Sequence, residues 1–511
     1  MANDPNTIQY VIQEDGFWYI ASKDRTPGVP EITVSAKGIA NGLSTEYNDG
    51  YDFGPDSYNP SVTSGVPLTQ TCGIQEAVNY LPYGGTIKIG IGVFYISKKI
   101  MIQTPNAPLV IIGEGAGNFG NTSWNSTTNT MNNLNVNVGS LLYAANGLND
   151  SFFYVNQSGG TIIFERLHFF GNPNNNTITG YGGGIYWQAC FQGYIINCIF
   201  DAIPGNSSYV ANNAGTSFIL IEGSLFQNST VNLSVKGDGG NIVFDTFSGQ
   251  DSSYGPYIVR NNYFFNLGGN SAVQSFRYNV IIDSNFIQEI SPDAYAINAQ
   301  GYNNKVVNNI IYRDYAGIYV GSDRCIVTGN YILFVKTNAI TVHGGGGDIY
   351  DNFIDGNTSD TSTTAYTQYA LNIPNALDSV QIVRFHDNII HGNFVNNPPI
   401  NVVAQTYPVV RIENNLGLND QITVSGTTAG SFIASMPAQQ DTYKKVIIYL
   451  DGYENDSTTA QTYTFPVPFN TVAEITSNTA SVPVVSTSLT EFSIAPDTTT
   501  AYTGIIVIEG Y

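Results

Sequence analysis

The sequence predicts an all-β chain: a right-handed parallel β-helix over residues 68–418, followed by a small antiparallel β-sandwich over 419–511. Three observations predict it. From about residue 160 to 417 a strand–bend–strand pattern recurs with Asn at the bend. Successive bends are spaced by the length of one solenoid rung. The Asn-Gly-type turns that would join antiparallel strands are nearly absent from this stretch.

Taken in order, residues 1–67 form an arm. Ile8–Gln13 and Phe17–Ala21 are apolar runs on either side of Glu14-Asp15-Gly16, a hairpin pattern, and an extended stretch with Pro27, Pro30, Pro55, Pro60 and Pro67 follows. The arm reads as a docking segment or as an unstructured leader. Thr71 then precedes Ile74, Ala77, Val78 and Leu81, apolar residues at helical spacing, so a short amphipathic helix capped by Thr71 is expected over 71–81. Gly84-Gly85-Thr86 leads into the runs Ile87–Ile91, Val93–Ser97 and Leu109–Gly115, the first strands.

The rungs follow. Ile281-Ile282-Asp283-Ser284-Asn285-Phe286-Ile287 and Ile349-Tyr350-Asp351-Asn352-Phe353-Ile354 share one frame. The Asn before the second apolar pair falls at 262, 285, 309, 330, 352, 388 and 415, giving steps of 23, 24, 21, 22, 36 and 27. The step of 36 contains Gly356–Tyr369, a Thr/Ser-rich stretch that reads as a loop inserted in one rung. Asn suits a bend because it tolerates left-handed backbone and can bond the Asn of the neighbouring rung, so a ladder of stacked amides is expected. After residue 418 the pattern gives way to alternating strands at Gln421–Val424, Tyr443–Leu450, Gln461–Phe465, Val472–Thr476, Ser488–Ile494 and Gly504–Glu509, the expected sandwich.

Composition narrows the function. Only 11% of the 511 residues are charged while 42% are hydrophobic, a neutral polar surface over an apolar interior. A net charge of −21 with 18 basic residues spread along the chain argues against nucleic acid and anionic membranes as partners. No apolar run of about 20 residues is present to span a bilayer, so membrane insertion is not expected. Met1–Thr7 lacks the basic and apolar regions of a secretory signal, so export by that route is not expected. Cys72, Cys190, Cys198 and Cys325 are too scattered for a disulfide framework or a CxxC metal site and read as buried thiols; neither a cofactor nor a metal is expected.

The segment from Thr71 to Gly115 resembles the opening of pectate-lyase-superfamily β-helices, shared by phage tailspikes and many viral β-helix proteins, in which a helix caps the solenoid and a GGT-strand-G-strand pair forms the first rung. Tyr443–Asn455, Thr464-Phe465-Pro466 and Gly504–Tyr511 are similar to terminal modules of structural proteins from viruses of thermoacidophilic archaea. The resemblance implies a tailspike or fibre-like adhesin on the virion surface, assembled in the host cytoplasm as a homotrimer. It would be docked to other virion proteins by its N-terminal arm and bind a host cell-surface polysaccharide or glycoprotein.

An enzyme on the same scaffold is the alternative, a polysaccharide hydrolase or lyase. Hydrolysis needs two carboxylates facing a groove, and adjacent rungs hold residues at nearly the separation of about 5 Å that retaining enzymes use. In register, Asp351 and Asp387 occupy one rung position, provided the inserted loop adds no coil; His386 and Glu413 share the preceding position and are the alternates. A lyase pair would be Arg260 with Asp283, and Glu165, Arg166 and His168 form another polar cluster. The bland reading is that charges at bends face water. For glycan stacking, Tyr181, Tyr186 and Trp187 beside Gly182-Gly183-Gly184 are the candidate platform, unless they pack inside the solenoid. Sequons at Asn125, Asn206, Asn228 and Asn357 allow glycosylation of the chain itself. A cellular surface-layer protein is a third reading and would need an export signal.

So few ionisable groups make the surface nearly indifferent to pH. A melting series from pH 7 to pH 2 is expected to show no early acid transition; unfolding well above the ordinary carboxylate range, about pH 4, would refute this.

Overall fold

Parallel pairing organises most of the strands. The computed structural model describes residues 10–14, 17–21, 31–34, 70–103, 108–116, 123–125, 130–132, 139–173, 176–178, 182–211, 216–229, 240–245, 255–268, 271–290, 294–357, 367–375, 377, 382–403, 410–417, 423–425, 431–436, 444–455, 461–464, 473–479, 483–488, 491–495 and 497–510. Two compact units are present, Met1–Gln274 and Ser275–Tyr511.

In the first unit, Tyr10–Glu14 and Phe17–Ala21 form the antiparallel hairpin that the apolar runs predict. Glu31–Val34, inside the arm, lies parallel to Gly85–Ile89 and so extends the first sheet. Each rung contributes strands whose inward residues align. Ile32, Ile87, Ile111, Phe164, Ile195, Ile221 and Val259 make one buried column. Phe94, Leu142, Phe169, Phe200, Phe226 and Phe264 make the second. Rings in that second column stack 4.6, 5.0 and 4.8 Å apart from Phe169 to Phe264, the spacing of strands in a sheet.

The helix spans Ile74–Tyr80, starting later than the expected 71. Cys72 and Gly73 have φ of 52° and 82°, left-handed backbone from which an α-helix cannot propagate. Thr71 still closes the turn, its Oγ1 accepting from Gln75 N at 3.4 Å and donating to Glu76 at 3.2 Å. Gln75 accepts from Met101 N at 2.6 Å and donates to Met101 O at 3.0 Å, occupying the edge of Ile100–Ile102. Covering an edge strand in this way blocks pairing with another chain.

In the second unit the amide ladder is continuous. The backbone N–H and Nδ2 of Asn285 both donate to Asn309 Oδ1, Asn309 does the same to Asn330, and the chain runs on through Asn352 and Asn388 to Asn415. The step from 352 to 388 bonds like the others, so the inserted stretch adds no coil. One part of the expectation needs correction: the ladder Asn is not the left-handed residue. That role belongs to the residue before it, Ser284, Asn308, Gly329, Asp351, Asp387 and Asn414, with φ of 54–66°. A ladder Asn must aim its amide inward along the axis, and a left-handed predecessor turns the backbone so that it can. At Gly329 a Cβ would sit 2.5 Å from Asn308 Oδ1, so glycine fits there without displacing its neighbour.

Inside the second unit, Ile287, Ile311, Ile332, Ile354 and Ile390 replace the stacked Phe rings. Burying each Ile contributes about 1.5–3 kcal/mol, against a net of about 1 kcal/mol for one hydrogen bond. Burial therefore supplies most of the energy and the ladder fixes the register. Parallel pairing continues past residue 418: Val424 aligns with Val402 and Ser435 with Ile412, which moves the predicted sandwich strand at Gln421–Val424 into a parallel layer. Ser431–Met436 then pairs antiparallel with Lys444–Asn455, followed by Asp497–Gly510 and Ala473–Asn478. Gln461–Thr464, Glu491–Ile494 and Val484–Thr487 make a separate antiparallel sheet of three.

All four cysteines are free and buried; burial raises Cys72, Cys190 and Cys198 to about 12 and Cys325 to about 11, which keeps them protonated. No described helix is long and apolar enough to cross a membrane.

Asn330→Ala removes the acceptor of Asn309 and the donor to Asn352, Val306 O and Thr328 O at once. Each buried group left unpaired costs about 1–3 kcal/mol, so amide hydrogen exchange across the rungs at 309 and 352 is expected to rise tenfold or more, by at least about 1.4 kcal/mol of local stability. Unchanged protection would show that the ladder is dispensable.

Candidate functional site

At the corner between the first and second strands, three successive rungs of the second unit place polar side chains outward. Gly347–Tyr350, Val383–His386 and Val410–Glu413 alternate inward and outward, so Asp348, Arg384 and Arg411 form one outward column and Tyr350, His386 and Glu413 the next. The left-handed residues Asp351 and Asp387 follow directly, each ahead of a ladder Asn and each exposed.

These side chains bond diagonally. His386 Nδ1 lies 2.6 Å from Asp387 Oδ2, and its Nε2 lies 2.8 Å from Asp348 Oδ1 on the neighbouring rung. The imidazole stacks on Tyr350 at 5.2 Å with an interplanar angle of 11°. Arg384 reaches Glu413 Oε2 at 3.6 Å. Burial pushes the His386 pKa down, but the hydrogen bonds to Asp387 and Asp348 outweigh burial and the repulsion of Arg384, so the net shift is upward. When protonated, a ring held between two carboxylates donates from both nitrogens and clamps the two rungs together, so His386 is not placed as a free base.

The predicted pair Asp351 and Asp387 therefore stand on adjacent rungs in register, Tyr350 opposite His386 before them and Phe353 opposite Ile389 after them. His386 and Glu413 are also opposite one another, yet each takes a different partner, Asp348 and Arg384. Asp348, Arg384 and Tyr350 were missed by sequence reasoning; strand alternation back from His386 gives Arg384, and the neighbouring rung in register sets Asp348 and Tyr350 opposite those two.

The aromatic platform is different from the one expected. Trp187 is fully buried, 0% exposed, and its Nε1 donates to Ser208 Oγ at 3.1 Å inside the solenoid, so it presents no face to a sugar. The cause is phase: Ile185 and Trp187 point inward, Tyr186 outward. Tyr186 is half-buried in a stack, 5.2 Å from both Tyr154 and Tyr209. Tyr181 lies outside the described residues. Beside the acidic corner stands an unpredicted aromatic stack: Tyr331 lies opposite Phe353 with centroids 5.8 Å apart, and His391, opposite Asp355 on the next rung, reaches diagonally over Phe353 at 6.0 Å with its Nδ1 3.3 Å from Asp355.

The other candidates are engaged elsewhere. Arg260 forks onto Glu222 at 3.0 and 3.1 Å. Glu165 pairs with Arg166 at 3.4 Å while His168 is buried 3.9 Å from Asp201. Sequon residues Asn206 and Asn228 spend their Nδ2 on Gly240 O and Asp201. Among the described residues no group of three or more His, Cys, Asp or Glu is arranged to hold a metal.

Because its folded pKa is raised, the His386 clamp contributes stability that is fully present below the unfolded value of about 6.5 and is lost as pH rises through the folded value. His386→Gln is expected to lower the melting temperature more at pH 5.5 than at pH 9, and Asp348→Asn to move the His386 titration, followed by NMR, back down. Equal losses at both pH values would refute the clamp.

No family model and no curated protein matches the chain. Solved structures do. The tailspike of E. coli bacteriophage HK620 in complex with a pentasaccharide matches at 12% identity and TM-score 0.38, over 86% of this chain and 88% of that one. The mannuronan C-5 epimerase A-module from Azotobacter vinelandii matches at 13% identity and TM-score 0.47, over 72% and 95%. The catalytic unit of a GH87 α-1,3-glucanase from Streptomyces thermodiastaticus matches at 12% and 0.44, over 72% and 64%. Likeness at this level transfers no activity; the chain's own geometry has to carry the functional reading.

Proposed function

We propose that this chain is a virion surface protein of the tailspike or fibre type that binds host cell-surface glycans. One observation carries the binding reading: the exposed carboxylates of Asp351 and Asp387, on adjacent rungs in register, and the diagonal Asp348–His386 clamp lie beside the aromatic stack of Tyr331, Phe353 and His391. Carboxylates accept hydrogen bonds from sugar hydroxyls, aromatic side chains cover sugar C–H faces, and a rigid ladder holds both without an ordering cost on binding. The domain plan belongs to the same proposal, with residues 1–67 docking to the particle, 68–418 as the glycan-bearing helix and 419–511 as a terminal sandwich. Sparse charge and the C-terminal resemblance favour a virus of an acidic, hot habitat.

A hydrolase is the second reading, favoured by the register of Asp351 and Asp387. Against it, Asp387 already has an oxygen committed to His386 and Asp348 one committed to the same ring, which leaves Asp351 as the exposed acid of the corner outside this clamp. Incubation of the protein with host surface polysaccharide is expected to give saturable binding, weakened about tenfold or more by Asp351→Asn with Asp387→Asn, with no new reducing ends and no unsaturated uronates. Turnover that disappears in either single variant would establish the enzyme. Absence of binding to any host polysaccharide would refute the adhesin.

A further inference from the structure

The rungs of the second unit have a third strand, in turn Tyr295–Ala299, Ala316–Val320, Asn338–Val342, Tyr369–Ile373 and Ile400–Val403. Not one of these five strands holds an Asp, Glu, Lys or Arg, whereas the first strands carry Lys305, Asp348, Arg384 and Arg411 on their outward face. Register sets Asn298, Tyr319, Thr341, Asn372 and Asn401 in one outward column, with Ile318 and Ile340 next to it facing the core.

Rings gather on this column. Tyr319 lies 5.0 Å from Tyr295 and 5.8 Å from His343, stacked on the imidazole at 27°. Asn375 Nδ2 donates to His343 Nε2 at 2.5 Å and so holds the imidazole in the stack. Polar groups beside the rings are left over. Thr341 is only 2% exposed although Tyr319 and Asn372 on either side of it are half-buried, so it forms the floor of a crevice. Its Oγ1 has no hydrogen-bond partner, and neither has Oδ1 of Asn298, two rungs away. Two rungs are about 10 Å, too far for one trapped water to serve both.

These features select a ligand by chemistry. An ion would meet no counter-charge on the five strands, and an apolar molecule would leave the hydroxyl and the amide oxygen unanswered. A neutral sugar suits both, with C–H faces to cover the rings and hydroxyls to donate to Asn298 and to exchange a bond with Thr341. We propose that Tyr295, Asn298, Tyr319, Thr341 and His343 form a second saccharide site, specific for an uncharged sugar. Thr341 Oγ1 is closed to solvent, so the side chain of Tyr319, opposite it on the neighbouring rung, has to move for the sugar to enter. The site shares no residue with the acidic corner, and the inference rests on the reading of the chain as a glycan binder.

Thr341→Val tests it with little risk to the fold, since it removes an unanswered hydroxyl and keeps the shape; the variant is expected to melt no lower than the wild type. The full chain is titrated with maltose, cellobiose, diacetylchitobiose and digalacturonate while the Thr341 methyl and Tyr319 ring signals are followed by NMR. At least one neutral disaccharide is expected to shift both signals, and digalacturonate neither. Affinity should fall about tenfold or more in Thr341→Val and in Tyr319→Leu, and stay unchanged in Asp351→Asn with Asp387→Asn. No shift with any neutral disaccharide overturns the proposal, because water alone then meets the leftover groups. Equal shifts from digalacturonate overturn it too, as does Thr341→Val binding as tightly as the wild type. Loss of the shifts in the corner variant would leave one site in place of two, which overturns this inference and not the adhesin. Shifts that persist while host polysaccharide ignores the corner substitutions refute the corner site alone.

Discussion

The rungs of the second unit depend on side chains at one rung position lying one strand spacing from their copies above and below. At about 4.8 Å a column of like charges repels at every step, and a column of hydroxyls has no fixed direction of donation. A primary amide has both a donor and an acceptor, so it is self-complementary under translation. That is why Asn occupies the buried corner six times running from 285 to 415, and why the Nδ2 left over after each ladder bond also finds main-chain oxygens, as Asn330 does with Val306 and Thr328. The sparse charge of the whole chain is the same constraint seen from outside.

The interior obeys it in apolar form. Identical residues stack well when their shape repeats along the axis, and the columns sort accordingly: Phe169 to Phe264 in the first unit, Ile287 to Ile390 in the second. Flat rings stack at nearly the strand spacing without changing rotamer, and β-branched Ile suits the extended backbone. Because each rung buries its side chains chiefly against its neighbours, the fold is a sum of local contacts. An insertion such as the stretch after Gly356 can leave the ladder intact provided the strand after it, Tyr369–Ile373, returns to its place against Asn338–Val342.

This also explains what could be read in the sequence. The rung length, the ladder positions and the register of Asp351 with Asp387 were legible because they follow from spacing alone. Trp187 was misplaced because spacing does not set which of two neighbouring aromatics points inward; the alternation Ile185, Trp187, Ala189 does, and it was available. The parallel layer at Val424 was hidden for a different reason, since a strand of three residues carries no mark of the direction of its partner. The diagonal bond from His386 to Asp348 was not legible, because it depends on rotamers that choose among several outward neighbours.

The acidic corner itself has two causes that must be kept apart. The residue before each ladder Asn needs left-handed backbone, and Asn, Asp and Gly are the residues that tolerate it best. Asp351 and Asp387 are therefore accounted for by the turn, and their register by the ladder, with no function invoked. The turn demands nothing of Asp348, Tyr350 or His386, which lie on the preceding strands where any outward residue would serve. An imidazole fixed between carboxylates of two rungs, flat against a tyrosine, is the part of this corner that folding leaves unexplained, and so it is there, more than on the paired aspartates, that the case for a binding site rests.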